Sequence, residues 1–260
     1  MYKRQAPTPP PPAPGYAVAP AGPADAPWSV GAAFSYGWAK FQQYLGPLLL
    51  AMLALFVAGA IISVIWYAIV GAIGGAIFGQ PGVTINPDTG VITTSGGPGF
   101  FGTLILGVIG GLVYYTVVGF IQAAITRAAL AITDGKKIEV GTILSADRLG
   151  KIIVTAFLVG IATAIGYLFC GIGAIIVSFF LAYTFYFLID QDLEPTAALS
   201  ASFNFVKEHL GDLLVFYLVS LVVYFIGAIL CGIGLIVAAP VVLIATAYTY
   251  KKFTNQAVAA

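Results

Sequence analysis

The sequence predicts an all-α polytopic membrane protein. Six transmembrane helices are expected, arranged as three repeated units of interfacial helix plus helical hairpin, behind a disordered N-terminal tail. Three observations predict this class. Of 260 residues, 60% are hydrophobic and only 8% are charged, whereas soluble domains carry about 25% charged residues. Mean hydropathy is +1.00, and apolar stretches of spanning length recur along the chain. The basic residues also fall on one side of a six-span arrangement, as the positive-inside rule requires.

Residues 1–27 stand apart. Positions 6–27 hold nine of the fifteen prolines and lack the apolar run that a core or a span needs. Such a segment samples extended polyproline II and cannot fold alone. It has no apolar stretch of signal-peptide type. Residues 1–5, Met-Tyr-Lys-Arg-Gln, match a translated transposase sequencing adapter, so Lys3 and Arg4 carry no weight below.

The spans are expected at approximately 47–72, 100–126, 152–169, 173–189, 213–230 and 233–250. Each is close to the ~20 residues that cross a bilayer at 1.5 Å per residue. The first apolar run continues to Phe78, as a long tilted helix or a frayed outer end. With six spans, Lys40, Arg127, Lys136, Lys137, Arg148, Lys151, Lys207, Lys251 and Lys252 share one side. Five or seven spans scatter them. Both termini are therefore expected in the cytoplasm, with 28–252 as the membrane domain and 253–260 as a short cytoplasmic tail. Between the first two spans, loop 79–99 carries β-branched runs around Asn86-Pro-Asp-Thr-Gly90, the pattern of a short external hairpin.

The tetrapeptide Cys-Gly-Ile-Gly occurs at 170–173 and again at 231–234. A shift of 61 residues aligns 149–175 with 210–236 at ten identical positions of 27, including Gly166 with Gly227. Each copy falls at a tight outer turn between antiparallel spans. Lead-in segments at 30–35, 140–145 and 195–200 each precede a Leu-Gly pair and then a span. Phe34, Trp38, Phe41 and Leu45 in the first copy, and Leu199, Phe203, Val206 and Leu210 in the third, mark one face of an amphipathic interfacial helix. The middle copy is shorter and weakly amphipathic. Two readings of Cys170 and Cys231 stay open: small residues inherited in a duplicated turn, or a disulfide stapling two hairpins on an oxidising face.

Catalytic, cofactor and metal sites are not expected. Two cysteines and one histidine are too few for a structural zinc site, and a net charge of +1 gives no footprint for nucleic acid. No charged residue lies centrally in an expected span, where ionisable groups mark pathways. Arg127 and Asp190 sit at inner ends, and His209 reads as interfacial. Gln122 and Thr126, four apart in the second span, are candidates for an intramembrane polar contact. Gly71, Gly75 and Gly79, with Gly107 and Gly111, form small-residue steps suited to helix packing, within the chain or between subunits.

The paired spans behind repeated Ser…Leu-Gly lead-ins, with a proline-rich tail, resemble uncharacterised proline-rich integral membrane proteins of actinobacteria. The pattern, over roughly 28–252, is also similar to the membrane domain of some bacterial glycerophosphodiester phosphodiesterases, whose catalytic domain this sequence lacks. The resemblance implies a bacterial inner-membrane protein and carries over no functional residues. Two functions are weighed: a non-enzymatic accessory or scaffold protein of the cell envelope, contacting lipids and a cytoplasmic partner through the tail, and a transporter or lipid-handling protein.

Overall fold

The structure, a computed structural model, describes residues 27–79, 82–87, 89–136, 147–167, 171–229 and 233–259. The expected tail, the middle lead-in at 140–145, and both Cys170 and Cys231 lie outside the described residues.

The chain enters through α1 (Val30–Gln43), capped by the Ser29 side chain accepting from Ala32 N–H at 3.1 Å. At Tyr44 the backbone bends, with φ −109°, and the long α2 (Leu45–Phe78) begins. Pro47 sits in its first turn, where a missing N–H costs nothing. Gly79, at φ 78°, ends it in a left-handed conformation that favours glycine. Strands β1 (Gly82–Ile85) and β2 (Ile92–Ser95) pair antiparallel, with Ile85 opposite Ile92. Their turn is closed by Gly90 N–H donating to Asn86 O at 2.9 Å, and Gly90 takes φ 65°.

Helix α3 (Gly99–Thr133) returns. It runs seven residues past the expected end at Thr126, because Arg127 to Thr133 offers no helix breaker. Then follow α4 (Leu149–Tyr167), α5 (Ile172–Phe180), α6 (Thr184–Asp190), α7 (Pro195–Glu208), α8 (Leu210–Ile229) and α9 (Ile233–Phe253). Among the described residues, six helical stretches are long and apolar enough to cross a membrane: Leu45–Phe78, Phe101–Thr133, Leu149–Tyr167, Ile172–Asp190, Leu210–Ile229 and Gly234–Phe253.

The fourth span is not one straight helix. It breaks at residues 181–183 between α5 and α6. Ser202 of α7 fills the break: its hydroxyl donates to Phe180 O at 2.8 Å and accepts from Tyr183 N–H at 3.2 Å. Backbone groups freed inside an apolar layer need such partners. The break was not legible in Leu-Ala-Tyr, which is helix-competent.

Helices α1 and α7 use matching faces. Ala33, Gly37 and Phe41 of α1, and Ala198, Ser202 and Val206 of α7, are buried. Trp38 and Phe203 are exposed, as are Leu45 and Leu210 at the joints. The bulky stripe read from the sequence is thus split: Trp38, Leu45, Phe203 and Leu210 face outward, while Phe41 and Val206 face inward beside Ala33, Gly37, Ala198 and Ser202. In lipid an outward apolar face carries no penalty. The joints agree as well: Leu48 N–H bonds Tyr44 O and Leu213 N–H bonds His209 O, each at 2.9 Å.

Packing is concentrated at the end of the bundle that carries the basic residues. One core gathers Tyr183, Tyr186, Phe187, Phe205 and Tyr250; a second packs α1 on α9 through Tyr36, Ile244 and Tyr248. In contrast, α2 is largely exposed along its length: Leu50, Phe56, Val64 and Tyr67 all point away from the bundle. Residues 254–259 are not a loose tail. They fold back so that Ala259 N–H donates to Thr133 O at 2.8 Å, while Tyr36 O–H donates to Ala259 O at 3.0 Å.

Glycines set close approaches within the chain, at positions other than Gly71, Gly107 and Gly111. A Cβ at Gly71, Gly107 or Gly111 meets nothing within 4 Å. The α2–α3 contact uses their neighbours instead: Gly74 against Leu106, and Gly110 against Trp66 and Val70. Where α4 meets α5 and α8 meets α9, Gly166 abuts Gly173 and Ala174, and Gly227 abuts Gly234. Tightest is Gly119, where a Cβ falls 2.2 Å from the Ala156 Cβ.

Gly119→Ala should therefore lower the melting temperature in mild detergent by several degrees, since overpacking costs about 1–3 kcal/mol. Gly111→Ala should leave it unchanged or slightly raised, the mid-helix glycine cost being about 1 kcal/mol. Equal losses in both would show that α3 is seated differently. Ser202→Ala should cost about 1–3 kcal/mol by orphaning two backbone groups, visible in the same melts.

Candidate functional site

The side chains with chemistry collect where α3 ends, α4 begins and α6 ends. There the helix termini expose backbone groups that lack intrahelical partners. A cleft of about 470 Å3 opens between these three elements. Its floor is apolar, formed by Leu130 and Ala131 of α3, Ile152 of α4, and Leu188 and Ile189 of α6. Its rim is charged: Arg127, Asp134 and Lys136 on one side, Asp147, Arg148 and Asp190 on the other.

Most rim groups also hold helix ends together. Arg127 Nη2 donates to Asp147 O at 2.7 Å, tying α3 to the start of α4. Arg148 Nη1 donates to Ile189 O at 2.8 Å and its Nε meets Asp192 Oδ1 at 3.2 Å, tying α4 to the turn after α6. Arg148 and Asp192 both adopt positive φ, 65° and 52°. Such backbone costs about 1 kcal/mol or more for a non-glycine residue and persists only where the surroundings fix it. Lys151 completes this corner with Asp192 at 3.2 Å and Glu194 at 3.0 Å.

Two further acidic groups are engaged at the same end of the bundle. Asp190 Oδ2 accepts from Tyr250 O–H at 2.9 Å and from Gln256 Nε2 at 2.6 Å. Asp134 pairs with Lys136 at 2.9 Å and with the buried Lys251. Burial alone raises the Asp134 pKa, but the hydrogen bonds and charges of Lys251 and Lys136 outweigh it and hold the carboxyl below its ordinary value. The ammonium of Lys40, on α1, is pulled down by burial. Behind the floor, one helical turn beyond Ile152 and Leu188, the hydroxyls of Thr155 and Thr184 are fully buried and have no hydrogen-bond partner among the described residues.

Gln122 and Thr126 do not form the expected interhelical contact. Thr126 is buried and its hydroxyl donates to Gln122 O of its own helix at 2.8 Å, while the Gln122 side chain is exposed. Four-residue spacing permits this internal bond as readily as a neighbour. His209 lies over Phe253, ring centroids 4.3 Å apart, with Nδ1 at 3.0 Å from Phe205 O. That Arg127 and Asp190 lie towards the ends of apolar spans was legible in the sequence. The pairing of Asp134 with Lys251, 117 positions apart, left no local signal.

Among curated proteins, the chain is similar to mycobacterial ones. It is 29% identical over 263 residues to the uncharacterized protein Rv2560 of Mycobacterium tuberculosis and, to the same extent, to the uncharacterized protein Mb2590 of Mycobacterium bovis. Each match covers 94% of this chain and 74% of the relative. No family model matches the chain, and no solved structure matches it significantly. These matches give no link to glycerophosphodiester phosphodiesterases. The supported identity is a multi-pass membrane protein with mycobacterial relatives.

Asp134→Asn should lower the melting temperature, because Lys251 stays buried without its carboxylate; a loss of about 2 kcal/mol is expected for a bond to a charged group. The depressed Asp134 pKa means that this stabilisation is complete above the unfolded value of about 3.9 and is lost as pH falls through the folded one. The gap between wild type and variant should then shrink below about pH 4. A constant gap down to pH 2 would refute the pairing.

Proposed function

We propose that the chain is a non-enzymatic accessory or scaffold protein of a bacterial cell envelope, its basic end cytoplasmic, displaying its proline-rich segment to a soluble partner. The observation that carries this reading is how the chain enters the fold. Trp28, immediately after that segment, donates from Nε1 to Thr249 Oγ1 at 3.1 Å and packs on Phe253, centroids 4.7 Å apart. Ser29 then caps α1. The segment is thus joined to the most heavily packed part of the molecule. Polyproline sequences are recognised by aromatic grooves on partner domains, and a firm attachment point suits such display. The non-enzymatic part rests on most rim groups being engaged in structural bonds: Arg148 with Ile189 and Asp192, Asp190 with Tyr250 and Gln256, Asp134 with Lys136 and Lys251.

A transporter or lipid-handling role is the second reading. The broken fourth span favours it, because interrupted helices line the binding sites of many transporters.

In a mild-detergent pull-down of the tagged full chain, residues 6–26 should be required for a stoichiometric partner. The deletion stops short of Trp28 so that the anchor is kept. Retention of every partner without those residues would refute display by the tail. Solute flux in proteoliposomes would instead support the second reading.

A further inference from the structure

We propose that the buried hydroxyls of Thr155 and Thr184 bind one internal water, which joins α4 to α6, the second half of the broken fourth span. Three contacts set the antiparallel register between these elements. A Cβ at Gly166 would fall 2.7 Å from Ala174 N, Ile152 and Leu188 line one cleft, and Arg148 Nε meets Asp192 Oδ1 at 3.2 Å. Each step forward on α4 is matched by a step back on its partner, so Thr155 comes level with Thr184 and Phe185. The faces agree. Thr155 follows Ile152 by three positions and Thr184 precedes Leu188 by four, spacings that keep residues on one side of a helix. Both threonines are 0% exposed. Thr155 lies six residues beyond the start of α4 at Leu149, roughly 9 Å along the helix.

Other hydroxyls buried in this bundle are bonded within their own helix. Thr126, Thr163, Ser220 and Thr249 each donate to the carbonyl one turn back, at 2.8 Å. Thr155 and Thr184 are the exceptions among the described residues. For Thr184 the reason is the break itself. It opens α6, and the carbonyl four residues back, Phe180 O, already takes the Ser202 hydroxyl. A buried polar group without a partner is costly, and in proteins such groups are met by ordered water. Each hydroxyl can donate and accept, so one water between them satisfies both. Backbone bonds in the interrupted turn run three residues back, from Ala182 N to Phe179 O and from Thr184 N to Leu181 O. Those carbonyls keep a lone pair for the third bond that an internal water usually makes. The guest is neutral. Between Lys151 and Asp190 the sequence has no charged residue, and a cation at this depth would lack a carboxylate to offset its lost hydration. The cleft brings solvent to Ile152 and Leu188, one turn away.

Thr155→Val and Thr184→Val keep the side-chain shape and remove the hydroxyl, so a cycle of thermal melts on the full chain in mild detergent reads the coupling. With a shared water, each single change lowers the melting temperature, and the double change loses clearly less than the two losses added. Hydroxyls that hold no guest give the opposite sign: each valine raises the melting temperature and the gains add. Additive losses would mean separate partners. Either result overturns the proposal. A direct bond between the hydroxyls would also couple them, so a second measurement looks for the water itself. Proton-detected solid-state NMR of the threonine-labelled full chain in bilayers should show transfer from water to both hydroxyl protons, each assigned by its loss in the matching valine variant. Thr126, equally buried but bonded to Gln122 O, should show none. Thr155→Ser and Thr184→Ser keep a hydroxyl and should keep the transfer, which guards against a valine variant that fails to fold. Coupled melts without transfer from water would overturn the bound water. None of these outcomes depends on residues 6–26, so the site and the display role stand or fall separately.

Discussion

A backbone N–H or C=O cannot be left open in hydrocarbon, and the architecture follows from where this chain meets that constraint. Straight spans meet it internally. The fourth span does not, and its break at residues 181–183 survives because Ser202 supplies both a donor and an acceptor. That requirement draws α7 against the bundle rather than leaving it adrift at the surface. Once α7 is seated, Phe205 reaches Tyr183, Phe187 and Tyr250, and the larger core assembles around those rings. The ion pairs of Arg148, Lys151 and Asp192 then fix the neighbouring turns.

Attraction between helices inside a bilayer is weak, since lipid tails are as apolar as leucine, and close contact has to come from small residues and polar bonds. The molecule divides accordingly. Its basic end is rich in both: Gly37 of α1 sits against the α9 backbone at Val241, and the C-terminal strap bonds to α3 and α1. The α2–α3 pair is joined by sparser means, including the hydroxyl contact of Ser63 with Tyr114 at 3.2 Å.

The sequence exposed what depends on local composition and concealed what depends on face. Spanning helices follow from apolar length, and the left-handed Gly90 follows from a turn that demands it. Within the chain, the α2–α3 contact falls beside two of the expected glycines for a physical reason: Gly74 adjoins Gly75, and Gly110 adjoins Gly111. A doublet supplies two candidate faces about 100° apart, and spacing alone does not choose. The helices chose Gly74 and Gly110. At the candidate site, Arg127 and Asp190 were visible as end residues, but the cleft arises from three elements far apart in sequence. Its shape is a tertiary property.

The length of α2 has a mechanical consequence. Thirty-four helical residues extend about 51 Å, against a hydrocarbon layer of roughly 30 Å. Leaning at 40°, near the limit seen for membrane helices, such a rod still rises about 39 Å. Tilt alone does not absorb the excess, so the bilayer must thicken around it or its last turns must stand clear, carrying the β-hairpin with them. The surrounding membrane then sets the posture of this arm, and a thinner bilayer presses it flatter than a thick one.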